Sequence, residues 1–217
     1  DAGGGEGGGG EGMAAGVEDL AGALTDAFAS TDAAFLDASN SSAGTTAIVA
    51  VVTPTHVLVA NCGDSRAYVW RAGKVLRMSV DHKPDRIDEA ARITAAGGWV
   101  SHGRVLHTLA VSRALGDRDF KLHPRSAAAS LPFKAPLVSA EPELRVCRAQ
   151  EGDELLLACD GLWDVLTPEA AFEYLHAHGA ADNPQRAVQE LVRAADEEYH
   201  SSDNITAVYV RLAAPDQ

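Results

Sequence analysis

Two apolar, β-branched runs, AIVAVVT (47–53) and HVLVANCG (56–63), are separated only by Pro54 and Thr55. That spacing is the tightest constraint in the chain. Strands joined by so short a link must pair antiparallel, because a parallel return needs a crossover of a dozen or more residues. The pattern recurs in AYVWRAG and KVLRMSV, a hairpin around Arg71-Ala72-Gly73-Lys74, and further strands are expected at 144–149, 153–159 and 205–212. Helical spacing marks the stretches between these blocks. Val17, Leu20, Leu24, Phe28 and Phe35 form one stripe, with Glu18, Asp19, Asp26 and Asp32 on the polar side. A second helix follows Asp81-His82-Lys83-Pro84, with Asp85 as its cap, a core stripe of Ile87, Ala91 and Ile93, and Gly97-Gly98 as its stop. Two more begin at Thr167-Pro168 and Asn183-Pro184, the latter with Val188, Leu191, Val192 and Ala195 on one face. The helices do not alternate strictly with the strands, so the class is α+β with helices packed on antiparallel sheets, not a doubly wound parallel sheet.

Charge narrows the partners. Eighteen basic and 31 acidic residues leave a net charge of −13. A phosphate backbone needs a basic face, so nucleic acid is not an expected partner, and neither is an anionic membrane surface. No run approaches the length of a spanning helix. The three cysteines, Cys62, Cys147 and Cys159, show no paired metal spacing and read as free thiols of a reducing compartment, cytoplasm or nucleus. Residues 1–12 are Gly/Glu-rich and read as a disordered tail, and 213–217 as a short C-terminal one. A monomer is expected.

The chemistry concentrates in ELLLACDGLWDVLT (154–167). An apolar strand runs directly into Asp160, with Asp164 four residues on. Asp203 stands just before the last strand. If those two strands are antiparallel neighbours, Asp160 and Asp203 arrive at the same end of a sheet. Carboxylates about 4 Å apart repel by about 4 kcal/mol at an effective dielectric near 20, which a proton or a cation must relieve. Hard oxygen donors without His or Cys favour Mg²⁺ or Mn²⁺. From these residues alone the alternative is turn chemistry, because Asp-Gly and Ser-Asp-Asn are ordinary turn sequences. Asp64 and Arg66 read as an internal pair of a tight turn, and Arg113 as half of a structural ion pair or an anion ligand.

Taken in order, SAGTTA (42–47), VANCGDSRAYV (59–69), DHKP (81–84), AAGGWV (95–100), LAVSRALGD (109–117), VSAEPE (138–143), LLLACDGLWDVL (155–166) and SSDNITAVYV (201–210) resemble the PPM-type (type 2C) metal-dependent protein serine/threonine phosphatases. The resemblance implies an α-β-β-α sandwich, two packed antiparallel sheets flanked by helices, with a partial domain over 13–212. It implies a centre of two Mg²⁺ or Mn²⁺ ions that readies a water to attack phosphoserine or phosphothreonine in a phosphorylated protein substrate. By position, Asp160 and Asp203 match the core metal ligands, Asp81 and Asp164 match an additional metal site, and Arg113 and Asp117 match structural residues near the site. Gly161 is expected to permit the turn after Asp160.

The sequence also departs from the family. Segments of the M-E-D and D-G-H-G-G type, which bring further acids, a phosphate-binding arginine and a histidine, have no counterpart. Arg104-Val105-Leu106-His107-Thr108-Leu109 stands where R-V-N-G-x-L is usual. The expectation is therefore an N-terminally incomplete phosphatase domain or, alternatively, a catalytically impaired phosphatase-like binding or regulatory module.

Overall fold

The structure is a computed structural model that describes residues 15–122 and 133–213. The expected tail 1–12, most of the tail 213–217, and the centre of the loop after Lys121 lie outside the described residues. In chain order the elements are α1 (Ala15–Ala38), β1 (Gly44–Thr45), β2 (Ala47–Val52), β3 (His56–Cys62), β4 (Arg66–Arg71), β5 (Lys74–Arg77), α2 (Ile87–Ala95), β6 (Val100–Ser101), β7 (Arg104–Val105) and β8 (Leu115–Gly116). There follow β9 (Glu143–Arg148), β10 (Glu154–Ala158), the one-turn α3 (Asp160–Trp163), α4 (Pro168–Ala177), α5 (Pro184–Glu197) and β11 (Ala207–Arg211).

Two antiparallel sheets carry the fold. One has the order β2-β3-β9 and the other β11-β10-β4-β5. Alternation along each strand decides what lies on either face. In β10, Leu155 and Leu157 point between the sheets with Val57, Val59, Ala67 and Val69. Leu156 and Ala158 point outward, onto Phe172 and Leu175 of α4 and Leu191 of α5. A strand buried on both faces reads as an unbroken apolar run, which is why ELLLA shows no polar alternation. On the other flank α1 lays Phe28 against Ala60 and Cys62 of β3. The layers are thus helix, sheet, sheet, helix, as the resemblance implies. A satellite cluster under α2 gathers Ile93, Ala96, Val105, Leu137 and Val138.

The helix ends follow from local chemistry. Thr167 caps α4 by accepting the Ala170 amide, and Asn183 caps α5 by accepting that of Arg186, each with proline at the first turn. Two helical faces differ from expectation. In α1 the buried residues are Val17, Ala21, Phe28, Asp32 and Leu36, while Phe35 is exposed. Asp32 belongs inside because its Oδ1 accepts from Lys121 Nζ at 2.6 Å and from the Gly116 amide at 2.7 Å. In α2, Ile87 is 89% exposed and Ala91 lies on the solvent side, whereas Glu89 and Ile93 are buried. The cap position is Arg86, not Asp85, and it makes no side-chain capping bond.

The sandwich is open along one margin. Among the described residues, β2 and β11 each pair on one side only. Between them lies a cleft of about 580 Å³, lined by Ile48, Val52, Leu155, Leu157, Val208 and Val210 among others. Val208 is 53% exposed there although its neighbours on β10 are core. Among the described residues, no helix is long and apolar enough to cross a membrane.

Candidate functional site

β10 pairs antiparallel with β11, Ala158 opposite Ala207. The end of one strand and the approach to the other therefore share one edge, as Asp160 and Asp203 require. The 201–206 segment is fastened to this edge. Ser201 Oγ donates to the Gly161 carbonyl at 2.6 Å, and the Thr206 amide donates to Cys159 Sγ at 3.2 Å. Cys159 Sγ in turn donates to the Asn204 carbonyl at 3.3 Å.

Gly161 is needed for this approach. A Cβ there would stand 2.3 Å from the Asn204 carbonyl oxygen. Its φ is not left-handed, and it lies inside α3. The expectation that glycine serves the turn is corrected: it serves the contact that lets the Asp203 segment close on Asp160. Asp164 follows one helical turn later, its amide donating to the Asp160 carbonyl at 2.8 Å.

On the other side of β10 runs β4, with Arg66 opposite Ala158. This register sets the Gly63–Ser65 turn beside Asp160. The turn is gripped by three consecutive residues of the loop before α2. Arg66 donates to both oxygens of Asp81, at 2.9 Å from Nε and 2.8 Å from Nη2. His82 exchanges bonds with Gly63: the His82 amide donates to the Gly63 carbonyl at 3.0 Å, and the Gly63 amide donates to His82 Nδ1 at 3.1 Å. Lys83 Nζ donates to Asp64 Oδ2. The expected Asp64–Arg66 pair does not form; each of the two takes its partner from the loop. Arg77 is a second arginine on Asp81, at 3.1 Å.

The electrostatics follow. Burial pushes the Asp160 carboxyl above its ordinary range, and the charges of Asp64, Asp164 and Asp203 push it further, with Lys83 pulling the other way. Asp160 is half-buried, Asp64 buried, and Asp164 and Asp203 exposed at the rim. Buried His82 is pushed down to about 4, by burial first and then by Arg113 and Arg86, so its imidazole is neutral at pH 7. With Nδ1 taken by the Gly63 amide, Nε2 carries the proton and faces Glu143 Oε2 at 3.7 Å.

Arg113 and Asp117 stand apart from these acids. Arg113 donates to Glu89 Oε1 at 3.1 Å from Nε and 2.8 Å from Nη2. Arg92 donates to Glu89 Oε2 at 2.8 Å. Burial would raise the Glu89 carboxyl, but bonds from Arg113, Arg92 and Ser112 outweigh it and bring it down to about 2. Asp117, buried and left-handed at φ 49°, packs its carboxylate where a Cβ on Gly44 would stand. Burial raises its carboxyl, partly offset by Lys121.

Sequence reasoning missed Asp64, Lys83 and Glu89. For the first two, the available signal was two short segments, GDSR and DHK, each carrying one acid and one base that could pair across as readily as within.

Carboxylates alone, with no thiolate or imidazole among them, suit a hard divalent cation. Among the described residues no three His, Cys, Asp or Glu side chains form a ready-made cage. Mg²⁺, however, commonly keeps several waters and takes one or two carboxylates. Asp160 and its neighbours fit such a water-rich ion in donor type, and they do not by themselves enclose two.

The sequence model of the family Protein phosphatase 2C matches residues 12–205. Probable protein phosphatase 2C 9 of Oryza sativa subsp. japonica is 52% identical over 139 residues, covering 62% of this chain and 30% of its own length. Probable protein phosphatase 2C 45 of the same organism is 40% identical over 202 residues, covering 90% of this chain and 65% of its own length. Among solved structures, a serine-threonine phosphatase 2C from Toxoplasma gondii superposes with a TM-score of 0.69 at 27% identity, covering 92% of this chain and 71% of that one. The chain thus spans about a third of one relative and about two thirds of another.

Proposed function

The chain belongs to the protein phosphatase 2C family, and from that premise we propose that the protein hydrolyses phosphoserine and phosphothreonine in protein substrates, with Asp160 and Asp203 as ligands of a Mg²⁺ or Mn²⁺ centre. One observation carries the reading: Asp160 stands half-buried at the end of the β10–β11 pair, its carboxyl raised by burial and then by the crowding charges of Asp64, Asp164 and Asp203. Such crowding opposes ionisation unless a cation joins the cluster. A bound divalent cation supplies a water of lowered pKa as nucleophile and polarises the phosphoryl oxygens.

The chain's own residues prepare the place. α3 holds Asp160 and Asp164 one turn apart, and Gly161 lets the Asp203 segment close beside them. The Asp81–Arg66, His82–Gly63 and Lys83–Asp64 contacts fix the far wall. Asp81 and Asp164 are proposed ligands of a further, weaker ion. Asp81 must then exchange part of its grip on Arg66 and Arg77. Arg113 acts through Glu89, and Asp117 through its packing on Gly44; neither is placed to touch substrate. A second ion needs oxygen ligands beyond those that the described residues gather.

The test is hydrolysis of a phosphoserine or phosphothreonine peptide in Mn²⁺. The rate is expected to collapse on Asp160→Asn and on chelation. A rate that survives excess chelator sinks the proposal. A second reading, a phosphatase-like docking module, is favoured by the missing acidic segments and the lack of a three-acid cage among the described residues. It predicts no Mn²⁺ uptake by calorimetry and unchanged partner binding in Asp160→Asn.

A further inference from the structure

Among the described residues, the acids around Asp160 have one basic side chain acting on them whose bonded partner lies in the cluster itself. Arg66 and Arg77 are spent on Asp81, and Arg113 and Arg92 on Glu89. Lys83 differs from them in that its bonded partner is itself an acid of the cluster: its ammonium bonds buried Asp64, and its charge acts on Asp160, whereas Arg66, held on Asp81, acts on Asp164 only through its field. It does so from a fixed base. The preceding residue, His82, is wholly buried and bonded through its backbone amide and its ring to Gly63. Lys83 itself remains 42% exposed, so its flexible stem has solvent to swing into. Tethered base, buried anionic partner and free outer path together describe a cation that is held in the cluster and is able to leave it.

We propose that the Lys83 ammonium is the resident counter-ion of the acid cluster: it keeps Asp64 and Asp160 compatible in the metal-free protein, and an incoming divalent cation displaces it toward solvent. This rests on the reading of the cluster as a divalent-cation site. It assigns Lys83 a positioning role that costs metal affinity, because the ion must displace a charge already in place, and that in return keeps the empty cluster from repelling itself apart. Lysine suits the role better than arginine, being a compact, strongly hydrated point charge on a flexible stem.

The experiment uses the full 217-residue chain and two measurements. In EDTA, thermal unfolding of wild type, Lys83→Met, Asp160→Asn and the double variant forms a double-mutant cycle. Lys83→Met is expected to lower the Tm by several degrees, and part of that loss should vanish when Asp160 is already neutral, the remainder reflecting Asp64, which keeps its charge. In the second measurement, Mn²⁺ uptake is read from the EPR signal of the free ion. Lys83→Met is expected to bind Mn²⁺ about tenfold more tightly than wild type, and Lys83→Arg to stay near wild type. Independent, additive losses in the cycle overturn the proposal whatever the metal does. Equal or weaker Mn²⁺ binding by Lys83→Met also overturns it, while leaving the metal reading intact. If the cycle shows coupling but neither wild type nor Lys83→Met takes up Mn²⁺ at millimolar concentration, the metal reading fails, and displacement fails with it.

Discussion

Glu89 on α2 is 1% exposed and gripped by Arg92 and Arg113. Asp160, at the end of β10, is half-buried among Asp64, Asp164 and Asp203, with Lys83 as the opposing cation. Arginine forks pull the first carboxyl far below its ordinary range, and burial, with neighbouring acids adding to it, lifts the second above its own. The difference separates two uses of a carboxylate. A saturated one joins α2 to the 112–113 segment and has nothing left to offer a ligand. An undersaturated one is kept in a condition that only a further positive charge relieves.

The largest effect expected to test this contrast is on Asp160→Asn. Phosphopeptide hydrolysis should fall by about 100-fold or more, as for lost metal-site residues, while stability in EDTA at neutral pH should hold or rise. Substantial unfolding of that variant by circular dichroism would make Asp160 another Glu89 and erase the distinction. Next is Glu89→Gln, which leaves two arginines facing a neutral amide. A loss of about 3 kcal/mol is expected, lowering the Tm by about 6–12 °C in a scanning calorimeter.

The pH dependence sharpens the contrast, because the two signs are opposite. The folded Glu89 carboxyl titrates near 2 against an ordinary 4.5. Its contribution is present in full above the ordinary value and is lost as pH falls from about 4.5 to 2, about 3 kcal/mol in all. Asp160 is held above its ordinary 3.8, so the folded state takes up its proton first, and acidification down to that ordinary value stabilises the metal-free protein, with no further gain below it. Denaturant melts across pH 2–7 should therefore show a shallower acid loss for Glu89→Gln and a steeper one for Asp160→Asn. The smallest effect checks the face of α2 that carries Glu89. Ile87→Gln should change stability by no more than about 0.5 kcal/mol, whereas Ile93→Ala on the Glu89 face should cost about 2–5 kcal/mol. The reverse order would turn the helix over and free Glu89 from its arginines.

The strands were legible in the sequence because their apolar runs are continuous and their links short; β2, β3, β4, β5, β9 and β10 fall where AIVAVVT, HVLVANCG and the later runs put them. The faces of α1 and α2 were not, for a shared reason. Reading a helix by its apolar stripe assumes that the buried side is greasy, and here Asp32 and Glu89 are buried while Phe35 and Ile87 face water. Long-range partners, Lys121 in one case and Arg113 in the other, decide those faces, and a local window does not contain them. At the site, the approach of Asp160 to Asp203 could be argued from antiparallel neighbours. The crossing of Asp64 to Lys83 and Arg66 to Asp81 could not, because proximity in the chain favoured the wrong pair. The unusual Leu106-His107 also has a structural outcome. Both residues are left-handed, at φ 48° and 61°, and the Thr108 amide donates to the Val105 carbonyl at 2.9 Å. That is the turn Asn-Gly adopts with ease. It persists here with Leu106 packed on the α2 cluster.

The margin of β2 and β11, unpaired among the described residues, bears on how the molecule behaves in company. Ala47–Val52 contains no lysine, no proline and no charge of any kind, the devices by which exposed strands usually avoid self-recognition. An excess of 13 negative charges sets a long-range repulsion between copies, and salt or mild acid weakens it. Concentrated, screened solutions of this chain are therefore where backbone would meet backbone, and dilute, low-salt buffers near neutral pH are where it should be handled.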